Sequence, residues 1–178
     1  MGVGSSIDGK KQGTWTWFYP EGPKNATENY KDDLLDGPSV HFYKNGKKKQ
    51  EELWEEGVLT GPAKYFYDTG ILKREGNYDP YGYSGFWKNY HENGVIKSQG
   101  NYFQGMLKGK WEFFDEGSHL VKTNTYPDEG SADPNTFYLT YFGKNGKVLM
   151  EGEMLNGQKK GTWIFYKSNG KEKERIDY

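Results

Sequence analysis

The chain has 178 residues, only 33% of them hydrophobic and 17% aromatic, so rings supply about half of its apolar inventory. A formal net charge of -1 provides no global field to draw in phosphate backbones or anionic lipid, which argues against nucleic acid and membrane lipid as partners. With no cysteine, the chain has no disulfides, no thiolate chemistry and no cysteine-based zinc site.

A mean hydropathy of -1.03 with 28% charged residues would by itself predict disorder. The 15 Tyr, 10 Phe and 6 Trp argue the other way, because each ring can bury about 150–250 Å². A thin, ordered, all-β protein follows.

In chain order, residues 1–12 read as an N-terminal leader or cap. They lack the basic region and apolar stretch of a signal peptide, and no apolar run in the chain approaches a membrane span. As written, the chain is expected to be soluble and cytoplasmic, or exported if a leader has been removed.

A repeat array occupies residues 13–178. Gly13, Gly37, Gly61, Gly85 and Gly109 are 24 residues apart, and Phe137 and Gly161 are again 24 apart; each opens one of seven copies. Two places after the opener stand Trp15, Ser39, Ala63, Trp87, Trp111, Leu139 and Trp163. Five places after it comes a ring every time, at Phe18, Phe42, Phe66, Tyr90, Phe114, Phe142 and Tyr166. Nine places after it is a glycine, one residue early in the fifth copy at Gly117. Seventeen places after it lie Tyr30, Trp54, Tyr78, Tyr102, Tyr126, Met154 and Tyr178.

Each copy reads as one hairpin. Segments such as Gly161-Thr162-Trp163-Ile164-Phe165-Tyr166 favour a first strand, cut off by Asn-Gly pairs at Asn45-Gly46, Asn93-Gly94, Asn145-Gly146 and Asn169-Gly170. Those pairs predict type I′ turns, which need positive φ at both central residues. A second strand follows, such as Ile71 to Tyr78, and a turn near Gly57, Gly82, Gly105 or Gly157 leads onward. Fourteen strands at about 4.8 Å would make an elongated, single-layer, twisted stack about 65 Å long. The ring at the fifth place points either to a bulge or to rings on both faces.

The interval from Gly109 to Phe137 is 28 residues, and the excess falls in 127–135, where two prolines, glycine and acids mark a surface loop. Such an insertion is either a functional element or a tolerated one.

The pattern Gly-x-Trp-x-x-(Phe/Tyr)-Tyr-x-Asn-Gly followed by Gly-x-Tyr-x-x-Gly resembles the bacterial variant of the MORN repeat, found in arrays of the YwqK antitoxin family. It is closest in 85–105, GFWKNYHENGVIKSQGNYFQG, and in 161–170, GTWIFYKSNG. The resemblance implies a sheet of hairpins that holds proteins together or dimerises, with lipid contact in some eukaryotic cases and toxin neutralisation for the bacterial variant. It carries over no catalytic residue. The chain departs from it at Phe137, which replaces the glycine, and at Ser39 and Ala63, which replace the tryptophan.

Catalytic and metal chemistry find little footing. His41, His91 and His119 fall at different phases and read as substituted ring positions or a solvated turn residue, with no metal-ligand spacing. Asp32-Asp33, Glu51-Glu52, Glu55-Glu56 and Asp128-Glu129 offer carboxylate pairs of the kind glycosidases use, but consecutive strand or turn acids near repeat junctions read as solvated charges. Gly143 to Lys147 lacks the spacing and the helix of a phosphate loop. Asn25-Ala26-Thr27 fits a glycosylation sequon of the kind that recurs by chance. Lys47-Lys48-Lys49 reads as a solvated edge.

The expected function is therefore a non-catalytic, protein-binding repeat scaffold, antitoxin- or immunity-like, with no cofactor and a toxin as one candidate partner. A glycan or cell-wall binding module is the alternative, and open sheet ends offer a route to a homodimer. Candidate contact residues are the ring ladder Tyr30, Trp54, Tyr78, Tyr102 and Tyr126, which also serves as core, and the loop acids Asp128, Glu129 and Asp133.

Overall fold

The computed structural model describes residues 1–178 and contains strands but no helix. They fall into two compact units, 1–84 and 85–178. The first unit holds β1 (Gly2–Ile7), β2 (Lys10–Phe18), β3 (Lys24–Lys31), β4 (Leu34–Phe42), β5 (Lys48–Glu55), β6 (Val58–Phe66) and β7 (Leu72–Asp79). Each pairs antiparallel with its sequence neighbour in one layer. β8 (Gly82–Tyr90) begins in the first unit and continues into the second. The second unit goes on with β9 (Ile96–Phe103), β10 (Met106–Phe114), β11 (Leu120–Thr125), β12 (Phe137–Phe142), β13 (Val148–Leu155), β14 (Gln158–Tyr166) and β15 (Glu172–Asp177). Its strands likewise pair in sequence order.

The all-β hairpin stack expected from the repeat is what the chain forms, with three differences of detail. Fifteen strands are present rather than fourteen, because Gly2–Ile7 pairs with β2 through Ser6↔Lys11 and Ile7↔Lys10.

The opening glycine does not open its strand. β2, β4, β6, β8, β10 and β14 begin three residues before it, and it sits inside them with φ between +59° and +111°. There the register breaks. Gly100 faces the three residues 109–111, and Gly152 faces 161–163. Glycine is needed because this bulge puts the chain in the left-handed region, which costs other residues about 1–2 kcal/mol. β12 confirms the cause: Phe137 replaces the glycine, no bulge forms, and the strand starts at Phe137 and runs only six residues.

A second register shift falls at the fifth-place ring, as between Trp17 and Phe18 or Phe113 and Phe114. A bulge therefore accompanies that ring, and its extra residue lies on the partner strand, Asn25 opposite Trp17-Phe18 and Val121 opposite Phe113-Phe114.

The third difference concerns the turns. Positive φ at both central residues occurs between hairpins, at Asp8-Gly9, Asp32-Asp33, Glu56-Gly57, Gln104-Gly105 and Asn156-Gly157. Apart from Asn156-Gly157, the Asn-Gly pairs take a different form. At Asn45-Gly46 only the glycine has positive φ, Gly46 N donates to Tyr43 O, and Tyr43 N donates to Lys47 O. Three residues separate the closing pair, and a type I turn followed by a left-handed glycine spans that loop where a type I′ turn would leave it one residue short. The asparagine serves as a connector instead. Asn93 Oδ1 accepts from Val95 N at 3.0 Å while Nδ2 donates to Glu116 O of the next repeat at 3.0 Å. Asn45 bridges Lys47 N and Asp68 O in the same way.

In each unit, core indoles lie flat on glycines. A Cβ on Gly4 would lie 2.4 Å from Trp15, one on Gly100 2.4 Å from Trp111, and one on Gly152 2.6 Å from Trp163. Each indole N–H donates to the backbone one residue beyond that glycine: Trp15 to Ser5 O, Trp111 to Asn101 O and Trp163 to Glu153 O, at 3.0–3.1 Å. The seventeenth-place rings close over them edge-on, Tyr102 against Trp87 and Trp111, Tyr178 against Trp163. Lys159 Nζ adds a cation 4.6 Å from the Trp163 ring. Trp163 is thereby 0% exposed without a second layer. At about 25 cal/mol per Å², burying one such ring contributes about 4–6 kcal/mol before entropy is counted.

Candidate binding face

The second and third repeats lack the indole, and the glycine beneath it has changed as well. Glu28 stands opposite Ser39, and Glu52 faces the bulge containing Ala63, at the phase that Gly100 and Gly152 occupy elsewhere. A glycine is required only under a flat ring. Once the ring is gone, a longer side chain fits, and both positions carry a carboxylate.

These carboxylates organise a polar strip on the indole face of the first unit. Glu28 Oε2 accepts from the Tyr30 hydroxyl at 2.6 Å, and Oε1 pairs with His41 Nε2 at 3.0 Å; the Glu28 side chain is only 12% exposed. Glu52 accepts from the Tyr65 hydroxyl at 2.7 Å and from Gln50 Nε2 at 3.1 Å. The Tyr65 and Tyr78 hydroxyls lie 3.2 Å apart. The Arg74 guanidinium stacks 4.1 Å from the Tyr65 ring centroid and donates to the Tyr83 hydroxyl at 2.9 Å. Burial, with the neighbouring Glu52 carboxylate adding to it, pushes the Tyr65 phenol up to about 12. Burial followed by the Glu28 carboxylate raises Tyr30, and burial followed by neighbouring tyrosines raises Tyr78.

The sequence-selected residues divide between roles. Tyr30, Trp54 and Tyr78 are half-buried within this strip, whereas Tyr102 packs against indoles and Tyr126 is buried at 5% exposure. Tyr126 lies under the 127–135 loop and donates to Pro134 O at 3.2 Å. The loop folds back on its own unit: Ser131 bridges Leu107 by two backbone bonds, and Asp133 accepts from Asn135 N and from the Thr136 hydroxyl. Those bonds hold the Asp133 carboxyl below its usual range. Asp128 and Glu129 stay exposed. The structure therefore brings Tyr30, Trp54 and Tyr78 together on one face, and the three loop acids lie in the other unit.

Glu28 and Arg74 escaped the sequence reading, and Glu52 was read there as a solvated charge. The strand alternation places Glu52 on the indole face instead, half-buried and hydrogen-bonded. A signal was available within the chain: a residue fifteen places after the opener is Gly before a Trp repeat and Glu before Ser39 or Ala63. His41 and His91 do occupy substituted ring positions. His91 Nε2 contacts Phe114 O at 2.9 Å, repeating the bonds that the Tyr19 and Tyr43 hydroxyls make to Phe42 O and Phe66 O. A carbonyl only accepts, so Nε2 carries the proton.

Ser39, beside the His41–Glu28 pair, is 1% exposed and its hydroxyl has no hydrogen-bond partner, so it is neither activated nor reachable as a nucleophile. No group of three or more His, Asp or Glu is placed to hold a metal ion.

Fold and core together define a β-hairpin repeat protein. Four of its repeats, at residues 11–32, 35–56, 59–79 and 85–104, match the family described as MORN repeat variant. The first three matched segments begin two residues before the glycine, close to where the structural strands begin. Repeats of this family are in general non-catalytic modules. No curated protein matches the chain.

Proposed function

We propose that the protein is a non-catalytic, protein-binding scaffold whose contact surface is the polar strip of the first unit. The observation that carries this reading is the paired replacement of indole and glycine by Glu28 with Ser39 and by Glu52 with Ala63. Each replacement gives up a buried ring and takes a carboxylate partly out of water, which is unfavourable unless it is paired. An array selected for stability alone keeps its indole and glycine; departures from such a local rule collect where a molecule does its work.

The test restores the rule. A variant carrying Glu28→Gly, Ser39→Trp, Glu52→Gly and Ala63→Trp is expected to gain about 1–2 kcal/mol per repaired repeat. It should also lose the protein that the wild type captures from its native host. Equal capture by both forms would sink the proposal.

Within that reading, the finer assignment is occlusion of a toxin, and the resemblance to antitoxin arrays supports it. Stoichiometric complex formation with a toxin-like product of an adjacent gene is the expected result, and failure to bind any such product removes the assignment. The glycan-binding alternative has one observation in its favour, the half-buried Tyr30 and Trp54 rings beside hydrogen-bonding Glu28 and Glu52. A glycan array on which wild type and repaired variant behave alike would dismiss it.

A further inference from the structure

The turns that join β8 to β9, β10 to β11, β12 to β13 and β14 to β15 lie along one edge of the second unit, and that edge is divided by charge. Its fourth and fifth repeats carry Glu92, Asp115 and Glu116 there; its sixth and seventh carry Lys144, Lys147, Lys167 and Lys171. Glu92, Glu116 and all four lysines are exposed, and none of these six has an ion pair within the molecule. Asp115 is held by its own turn, through Gly117 N, His119 N and the His119 ring. Of the charges just beyond the turns, Lys97 follows the fourth, while Glu172 and Glu174 after the seventh are taken up by Arg175 and Lys173. The corresponding edge of the first unit is arranged otherwise: Lys44 pairs with Glu21 of the preceding repeat at 2.9 Å, and Lys47 Nζ donates to Thr69 O.

We propose that this edge is a contact between two molecules of this chain related by a two-fold axis. Strands spaced about 4.8 Å apart put successive turns about 10 Å apart. A two-fold axis passing between the fifth and sixth repeats sets the fourth turn against the partner's seventh and the fifth against the partner's sixth. Acid then meets lysine twice over, as a self-complementary contact requires. Exposed ion pairs each contribute little and are screened by salt, so the dimer is weak and sensitive to ionic strength. Its charge pattern governs orientation more than affinity.

Charge reversal tests the pairing on the full chain. One variant carries Lys144→Glu, Lys147→Glu, Lys167→Glu and Lys171→Glu; the other carries Glu92→Lys and Glu116→Lys. Circular dichroism checks that both keep the strand fold. In sedimentation velocity at low ionic strength, the wild type is expected to dimerise with rising concentration and to revert to monomer in about 1 M salt, where the Debye length is about 3 Å. Each variant alone should stay monomeric, and an equimolar mixture of the two should dimerise again, because acid halves then face lysine halves. A monomeric wild type, dimers that persist in both variants, open-ended growth in place of a dimer, or a mixture that stays monomeric each overturns the proposal.

Discussion

At the scale of single residues, the governing unit is an indole on a glycine. The ring can lie flat only where the strand beneath has no Cβ, and the flat pose is what lets its N–H reach the next carbonyl. Gly100→Ala brings a methyl to 2.4 Å from the Trp111 ring. Overpacking of this kind costs roughly 1–3 kcal/mol, which a shift in the urea midpoint at unchanged m-value would show. An unshifted midpoint would mean that the ring moves aside freely. Glu28 and Glu52 make the same point in reverse, since each is tolerated only because no ring covers it.

At the scale of the hairpin, two residues of one dipeptide do different work. Gly94 holds φ at +84°, so Gly94→Ala strains the backbone by about 1–2 kcal/mol. Asn93 is not in the left-handed region; it closes its own turn and ties it to Glu116 O. Asn93→Ala is therefore expected to loosen the join between repeats. In hydrogen exchange, protection at Val95 should fall in Asn93→Ala while the wild-type strand pairing of β8 and β9 is kept; unchanged protection at Val95 would remove the connector role. The strands and turns of the seven repeats were legible from periodicity; β1 and its turn at Asp8-Gly9, outside the repeat, were not. Turn type was not, because it depends on which residues close the pair, and that follows from the bulge at the fifth-place ring.

At the scale of the molecule, raised phenols link stability to alkaline pH. Tyr65 ionises near 12 when folded against an ordinary 10, and Tyr166, hydrogen-bonded to Glu151, is also pushed up to about 12. The folded form thus holds these protons longer than the unfolded chain does. Their contribution is complete below about pH 10 and is lost as pH rises from 10 towards 12. Melting temperature should fall through that window, and it should fall less steeply in Tyr65→Phe, although that variant starts lower for want of the Glu52 bond. An identical slope in both would show that Tyr65 does not titrate differently on folding.

The sequence by itself determined the architecture: the 24-residue spacing, the ring positions and the turn glycines specify stacked hairpins, because period-two side-chain alternation and left-handed turns leave such a segment little else to form. It also contained the matched exchange of Gly with Trp for Glu with Ser or Ala, readable once the repeats are aligned with one another. Only the tertiary structure decided what that exchange means. Residues fifteen and two places after successive glycines become neighbours solely through strand pairing, and the three-against-one bulge sets which of them share a face. It is this pairing that gathers Glu28, His41, Glu52, Tyr65 and Arg74, scattered over nearly fifty positions of the chain, into two polar clusters on one face.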